Sequence, residues 1–302
     1  MLLRRTMLAA LLASVGMLHA AELTDFTAGG PAPVLWTAEG KGNQTVTLHV
    51  FLPKDHKPSD ERAVTVWIHG GGWKSGAPDL MFPHCRYFAS RGAIAISVVY
   101  RLATDGGPVT VHDSLDDCRT AIRHLRSHAR ELGIDPAKIA VLGDSSGGHL
   151  AAALGTLPSG DATGPSSVPD AMVLCNAALD LTAISWLKDV PGTPAKAAGT
   201  ATARLQALSP LRAVGKSTPP TLLLHGTADK TVPHAQSASF QKAMLAAGRP
   251  CQLVSLEGTG HAFLLPGYGK PAEVVRALVE TDRFLTQSGY LAGAPTLRAA
   301  GP

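Results

Sequence analysis

Apolar residues along this chain gather into short, nearly unbroken runs, separated by longer segments in which they recur at helical spacing. The runs TVTLHVFLP (45–53), AVTVWIHG (63–70), AIAISVVYR (93–101), IAVLGD (139–144), AMVLCNAALDL (171–181), TLLLHGTAD (221–229) and CQLVSLEG (251–258) are rich in β-branched and aliphatic residues. Their length and their Gly, Pro and Asp boundaries predict strands. Helices are predicted between them. A short one falls near 80–91 and a clear amphipathic one at about 112–132, where Cys118, Ile122, Leu125, Ala129 and Leu132 share a face and Gly133 ends the pattern. SSGGHLAAALGTL opens another directly after the strand at 139–144, and two more follow at about 233–248 and 271–287. Strands this continuously apolar, alternating with helices, predict an α/β fold: a mostly parallel central sheet with helices on both faces.

Two segments interrupt the alternation. Residues 158–169 (PSGDATGPSSVP) form a polar loop, and residues 182–219 hold the only long stretch without a strand. Lying between two strands, 182–219 reads either as a small cap or as a surface excursion. No internal repeat is visible. The expected organisation is a single domain over 21–302 with a cap insertion at 182–219.

The first twenty residues differ in kind. Arg4 and Arg5 precede an apolar run from Met7 to Leu18, and small residues follow at Ala20 and Ala21. That is the pattern of a secretory signal peptide, residues 1–20, and it predicts export to a periplasm or out of the cell, with a membrane-tethered N-terminus as the alternative. The run is too short to span a membrane, so no stable membrane insertion is expected.

The composition of the whole chain is globular, 45% hydrophobic and 17% charged. The 27 Lys and Arg less Arg4 and Arg5 leave 25 basic residues against 23 acidic, a net +2 that gives no argument for a nucleic-acid partner. Cys85, Cys118, Cys175 and Cys251 are far apart and form no zinc spacing. Cys175 and Cys251 fall in strand runs and read as core, which leaves Cys85–Cys118 as an open pairing in an exported chain. His124 and His128 stand four apart on a helix, but among Arg119, Arg123, Arg126 and Arg130 they read as a solvated basic face rather than a metal site.

The candidate chemistry begins at VLGDSSGG (141–148). A GDSGG protease serine belongs to an antiparallel β-barrel with its His and Asp earlier in the chain. Phosphate-binding turns need G-x-G-x-x-G or G-K-[ST], and neither is present. Gly143-Asp144-Ser145-Ser146-Gly147 fits G-x-S-x-G instead, with a strand ending at Asp144 and a helix starting at Ser146. That context predicts a nucleophile elbow carrying Ser145. Upstream, His69-Gly70-Gly71-Gly72-Trp73 follows a strand as an oxyanion loop would. The amides of Gly71, Gly72 and Ser146 are the expected donors, and His69 reads as the residue holding the loop. Downstream, in the order such a nucleophile requires, Asp229 follows the strand TLLLHG and His261 follows CQLVSLEG. His261 is the expected base and Asp229 its acid, with Glu257 the rival acid. His225 reads as a packed residue, and His149 lies one turn into the nucleophile helix. No metal ligand set is expected.

In this order, HGGGW, GDSSGGHLAA, HGTADKTVP and GTGHAF resemble the α/β-hydrolase esterases, over about residues 45–287. HGGG with GDS-x-GG resembles the hormone-sensitive-lipase-like carboxylesterases. Trp73 and GDS-x-GGHLA resemble bacterial feruloyl and acetyl-xylan esterases. HG-x-x-D-x-x-V-P is shared with prolyl-oligopeptidase-like peptidases. Few residues precede TVTLHVFLP, so the N-terminal cap usual in the lipase-like group is not expected, and there is no room for a peptidase propeller. Ser146 replaces the Ala common in GDSAGG. The resemblance implies the α/β-hydrolase fold and a serine carboxylesterase that works without a cofactor through an acyl-enzyme. It points to acetyl or feruloyl esters of plant polysaccharide, with a general short-chain esterase or a peptidase as alternatives. A non-catalytic binding protein on the same scaffold is the remaining reading.

Overall fold

A computed structural model describes residues 31–40, 44–159, 164–194 and 196–297. The signal-peptide reading lies outside the described residues. Eight strands form one sheet in the order β1-β2-β4-β3-β5-β6-β7-β8. They are β1 (Val34–Glu39), β2 (Thr45–Phe51), β3 (Arg62–Ile68), β4 (Ile94–Val98), β5 (Ile134–Asp144), β6 (Ala171–Cys175), β7 (Thr221–Gly226) and β8 (Cys251–Leu256). Both contacts of β2 are antiparallel, and every pairing from β4 to β8 is parallel. The helices are α1 (Phe82–Ser90), α2 (Val111–Ser127), α3 (Ala129–Leu132), α4 (Ser146–Thr156), α5 (Ala201–Ala207), α6 (Ala235–Ala246) and α7 (Pro271–Gln287). This is the α/β-hydrolase fold with its mostly parallel sheet.

The period-two pleat splits each apolar run between two cores. Val64, Val66 and Ile68 of β3, with Ile139 and Val141 of β5, face one core together with Leu115 and Ile122 of α2 and Leu150 of α4. Trp67, Ala140 and Leu142 face the other, with Phe88 of α1 and Leu278 of α7. Because Cys118 lies in the first core and Cys85 in the second, the sheet stands between them and the open pairing is excluded. All four cysteines are free. Cys251 is partly exposed on the edge strand rather than fully in the core.

Three boundaries differ from the sequence pattern. The edge strand β1 was not expected: VLWTAE is mostly exposed and shows no buried face of its own until it pairs with β2. The predicted strand over 171–181 ends at Cys175, because Asn176 turns into a left-handed conformation (φ 44°). The helix expected at 112–132 breaks at His128 into α2 and α3. Its start is secured by a capping box, with Asp113 accepting from the Thr110 amide at 2.8 Å.

Segment 182–219 folds as short 3-10 turns around α5. Ile184, Leu187, Val190, Leu205 and Leu208 are buried against the α2/α4 core, so the segment is packed onto the domain. Among the described residues no helix is long and apolar enough to cross a membrane.

Candidate active site

The strand ends of β3, β5, β7 and β8 point the same way, so the loops that leave them meet above one edge of the sheet. Ser145 lies between β5 and α4 with φ 54° and ψ −118°. Its amide donates to the Cys175 carbonyl at 2.9 Å, which keeps the turn bonded to β6. The two motif glycines are steric necessities. A Cβ at Gly143 would stand 2.2 Å from the Gly147 carbonyl oxygen, and one at Gly147 would stand 2.1 Å from that of Ile68.

The structure brings the predicted triad residues together. His261 Nε2 is 2.9 Å from Ser145 Oγ, and His261 Nδ1 is 2.7 Å from Asp229 Oδ2. Asp229 Oδ1 accepts the amides of Thr231 at 2.8 Å and Val232 at 2.9 Å. Burial alone would raise the Asp229 pKa. Hydrogen bonds from His225, His261 and the Val232 amide outweigh it and hold the carboxyl well below its usual range. The rival acid Glu257 lies just past β8, exposed, and among the described residues no hydrogen bond joins it to His261.

Gly71, Gly72 and Ser146 line the same cavity as Ser145 and His261. Gly71 (φ 127°) and Gly72 (φ 62°) occupy backbone conformations that suit glycine, and a Cβ on Gly71 would meet the Ser75 carbonyl oxygen at 2.1 Å. Among the described residues none of the three amides donates to a backbone carbonyl, so all three are available to a ligand oxygen. His69 is buried under this loop. Its Nδ1 lies 2.8 Å from the Gly70 oxygen, and its ring stacks on Tyr100, whose hydroxyl donates to the His69 carbonyl at 2.8 Å. Burial lowers the His69 pKa.

Four non-glycine residues have left-handed backbones among the described residues: Trp73, Ser145, Asn176 and Ala262. Trp73 ends the oxyanion loop, Ser145 is the elbow, and Ala262 follows His261. Asn176 donates from Nδ2 to Asp144 Oδ1 at 2.7 Å. Backbone strain of this sort persists where the surrounding structure over-determines it; Trp73, Ser145 and Ala262 line one cavity, and Asn176 bonds Asp144, which lines it too. Burial raises the pKa of Asp144 to about 6.

Sequence reasoning placed His149 and Trp73 without pairing them, and did not single out Asn176, Trp186 or Tyr268. His149 bonds Trp73, Asn176 bonds Asp144, and Trp186 and Tyr268 line the cavity. His149 stands inside GGHLA, so the motif marked its position but not its partner. His124 near the end of α2 and His128 just past it stack at 4.3 Å, away from this cavity.

The cavity holds about 390 Å3 and carries apolar walls from Leu80, Ala178, Val232 and Leu265. A hydrogen-bonded hydroxyl–imidazole–carboxylate line, partly open to a cavity that Gly71, Gly72 and Ser146 also line, is suited to acyl transfer.

Known proteins agree with this chemistry. The family model described as BD-FAE matches residues 48–244. The carboxylesterase NlhH of Mycobacterium tuberculosis is 31% identical over 79% of this chain and 76% of its own length. Esterase 2 of Thermogutta terrifontis, in its apo form, superposes with a TM-score of 0.77 at 36% identity, covering 87% of this chain and 97% of that one. The propionate-bound structure of the same esterase gives 0.76 at 36% identity over the same shares. The match to the family model spans more than half the chain and includes the oxyanion loop, the elbow and Asp229, and the chain accordingly belongs to the BD-FAE family of α/β-hydrolase serine esterases.

Proposed function

We propose that this carboxylesterase is exported and hydrolyses short acyl esters carried on plant polysaccharide, with Ser145, His261 and Asp229 as its catalytic residues. The observation that carries the catalytic assignment is the hydrogen-bonded line Ser145 Oγ–His261 Nε2 (2.9 Å) and His261 Nδ1–Asp229 Oδ2 (2.7 Å). Ser145 attacks the ester carbonyl while His261 takes its proton. The tetrahedral oxyanion is held by the amides of Gly71, Gly72 and Ser146, each well-aimed donor lowering the barrier by about 3 kcal/mol. His261 returns the proton to the departing alcohol, and Asp229 keeps the imidazole in the tautomer this requires. Water then attacks the acyl-enzyme by the same steps in reverse. The segment Arg4–Ala21 supports export.

Two observations bear on the substrate. The cavity is small, and its structural neighbour binds propionate, which favours a short acyl group. The mouth carries the exposed rings of Trp186 and Tyr268, suited to a sugar-bearing alcohol. The small cavity equally fits a general short-chain esterase, and only the alcohol side separates the two. Ser145→Ala should abolish hydrolysis of an activated acetyl ester and labelling by a fluorophosphonate; retained turnover would sink the assignment. A panel comparing acetylated xylan and a feruloylated sugar with simple alkyl esters, read as kcat/KM, tests the substrate. Equal rates across the panel would leave the general esterase.

A further inference from the structure

Asp229 faces a second histidine besides His261. His225, the fifth residue of β7, is fully buried and turned toward α6. Its Nε2 lies 3.0 Å from the Val232 carbonyl oxygen and 3.3 Å from Asp229 Oδ2, the same oxygen that accepts from His261. Its Nδ1 lies 2.7 Å from Ser237 Oγ on α6. A carbonyl and a carboxylate only accept, so the ring proton sits on Nε2, where it bonds the Val232 carbonyl and lies within ion-pair distance of Asp229 Oδ2, and Nδ1 accepts from the Ser237 hydroxyl. Both ring nitrogens are engaged, and Nε2 also stands 3.3 Å from the triad acid.

Simple packing does not require this arrangement. A histidine filling space at the end of β7 would need partners for its two nitrogens. It would not need to aim one at a carboxylate already satisfied by two amides and an imidazole. Two N–H donors on one carboxylate oxygen divide its charge between them. The share drawn by His225 is withheld from His261.

We propose that His225 is a positioning residue of the esterase reaction: its Nε2–H fixes Asp229 Oδ2 in line with His261 and sets how strongly that carboxylate holds the His261 proton. The proposal rests on the assignment of Ser145, His261 and Asp229 as the catalytic line. The charged or titratable groups around the pair are few. The ring of His234 stands edge-on to His225 at 5.5 Å and bonds Ser255 Oγ, while Asp144 acts on Asp229 through space from the elbow. Neither donates to Asp229, so His225 supplies the second side-chain bond.

Two substitutions separate positioning from packing. In His225→Gln the side-chain amide nitrogen can occupy the place of Nε2 and keep a donor on Asp229. In His225→Asn the amide reaches only as far as Nδ1 and loses it. With Asn the acidic limb of the kcat/KM–pH profile should move to higher pH, because the undivided carboxylate favours the imidazolium. A charge-assisted hydrogen bond of this type predicts a fall in kcat of roughly ten- to a hundredfold, with KM unchanged. Gln should regain most of kcat and return the limb to its wild-type position. An Asn variant with a wild-type limb, or Gln and Asn variants equally impaired with no limb shift, would overturn the proposal.

Should both variants fail to fold, the wild-type protein still decides. Its 15N shifts near neutral pH must show a protonated Nε2 and a bare Nδ1 at His225, and the reverse tautomer overturns the proposal. Ser145→Ala distinguishes the two levels. An active Ser145→Ala variant breaks the catalytic assignment itself. An inactive one beside a wild-type profile in His225→Asn breaks only the role of His225.

Discussion

The indole N–H of Trp73 donates to Nδ1 of His149 at 3.0 Å, joining the oxyanion loop to the helix behind the nucleophile. The other ring nitrogen of His149 donates to the Leu208 carbonyl at 2.8 Å, which extends the link into segment 182–219. A bare Nδ1 and a protonated Nε2 make this imidazole neutral, and burial accordingly lowers its pKa to about 4. Trp73 is also left-handed (φ 64°), so the bond restrains a residue that would otherwise relax toward an ordinary conformation. Gly71 and Gly72, which line the cavity, directly precede Trp73.

Replacing Trp73 by Phe keeps a ring in place and removes the donor. His149 Nδ1 then lies buried without its partner, at a cost of about 1–3 kcal/mol of stability. If the bond also holds the loop, kcat should fall by about tenfold or more while KM changes little, since oxyanion contacts act mainly in the transition state. Urea unfolding with steady-state kinetics on an activated ester checks both. Lost stability with unaltered kcat would reduce the bond to packing.

The glycines at this site should differ in how they respond to substitution. Gly147→Ala places a Cβ 2.1 Å from the Ile68 carbonyl oxygen and 2.4 Å from that of His69, both backbone atoms that cannot yield. The variant should fail to accumulate as folded protein. Gly72→Ala meets nothing within 4 Å, so only its left-handed backbone (φ 62°) resists the new side chain, a cost of about 1–2 kcal/mol. That protein should fold and lose activity out of proportion to stability, as seen by comparing circular dichroism melts with kcat. A Gly147→Ala protein of normal stability would contradict the elbow geometry.

Asp144 offers a test in which stability and activity move in opposite directions. Burial raises its pKa to about 6 from an unfolded value of 3.8, so between those values the folded chain keeps a proton that the unfolded chain has released. Stability on this account is fully present below 3.8 and is lost as pH rises to about 6. Asp144→Asn should therefore stabilise the protein above pH 7, by on the order of 3 kcal/mol at most, and have little effect near pH 4. The ionised carboxylate also favours a positive His261 through space, so the same variant should lose kcat. Denaturant midpoints for both proteins across that pH range would show curves that diverge upward; parallel curves would refute the assignment.

The central strands and the order of the candidate triad could be read from sequence because their causes are local. A nearly continuous apolar run is what a strand covered on both faces requires, and G-x-S-x-G records the crowding at Gly143 and Gly147 within five residues. Ser145 and His261 are 116 residues apart, yet each sits in a short motif whose order along the chain is known. The bond Trp73–His149 carries no such local mark, and although His225 and Asp229 stand four apart in HGTAD, the spacing does not state that their side chains meet. Nothing in HGGGW states that its indole will meet a histidine 76 residues later, and a histidine before a strand-end glycine looks packed until its ring nitrogens are located. The edge strand β1 escaped for a different reason: with most of VLWTAE exposed, its apolar and polar positions do not alternate against a core.

Trp186 and Tyr268 are the only exposed large aromatic side chains among the described residues, 49% and 77% accessible, and both line the cavity that holds Ser145. Trp186 is held by its indole N–H, which donates to the Thr231 carbonyl at 3.0 Å, so its ring is kept in a defined orientation at the mouth. Exposed rings held in place can stack on the apolar faces of sugar residues, whereas a small alkyl alcohol would leave them uncovered. If the polysaccharide reading is correct, Trp186→Ala and Tyr268→Ala should each raise KM on an acetylated oligosaccharide by about three- to tenfold, the range that an aromatic contact contributes. Hydrolysis of a small activated acetyl ester should keep its kcat/KM in both variants, because neither ring touches the triad. Kinetics on the two substrates side by side check this, and equal losses on both, or on neither, would remove the rings from substrate binding and favour the general short-chain esterase.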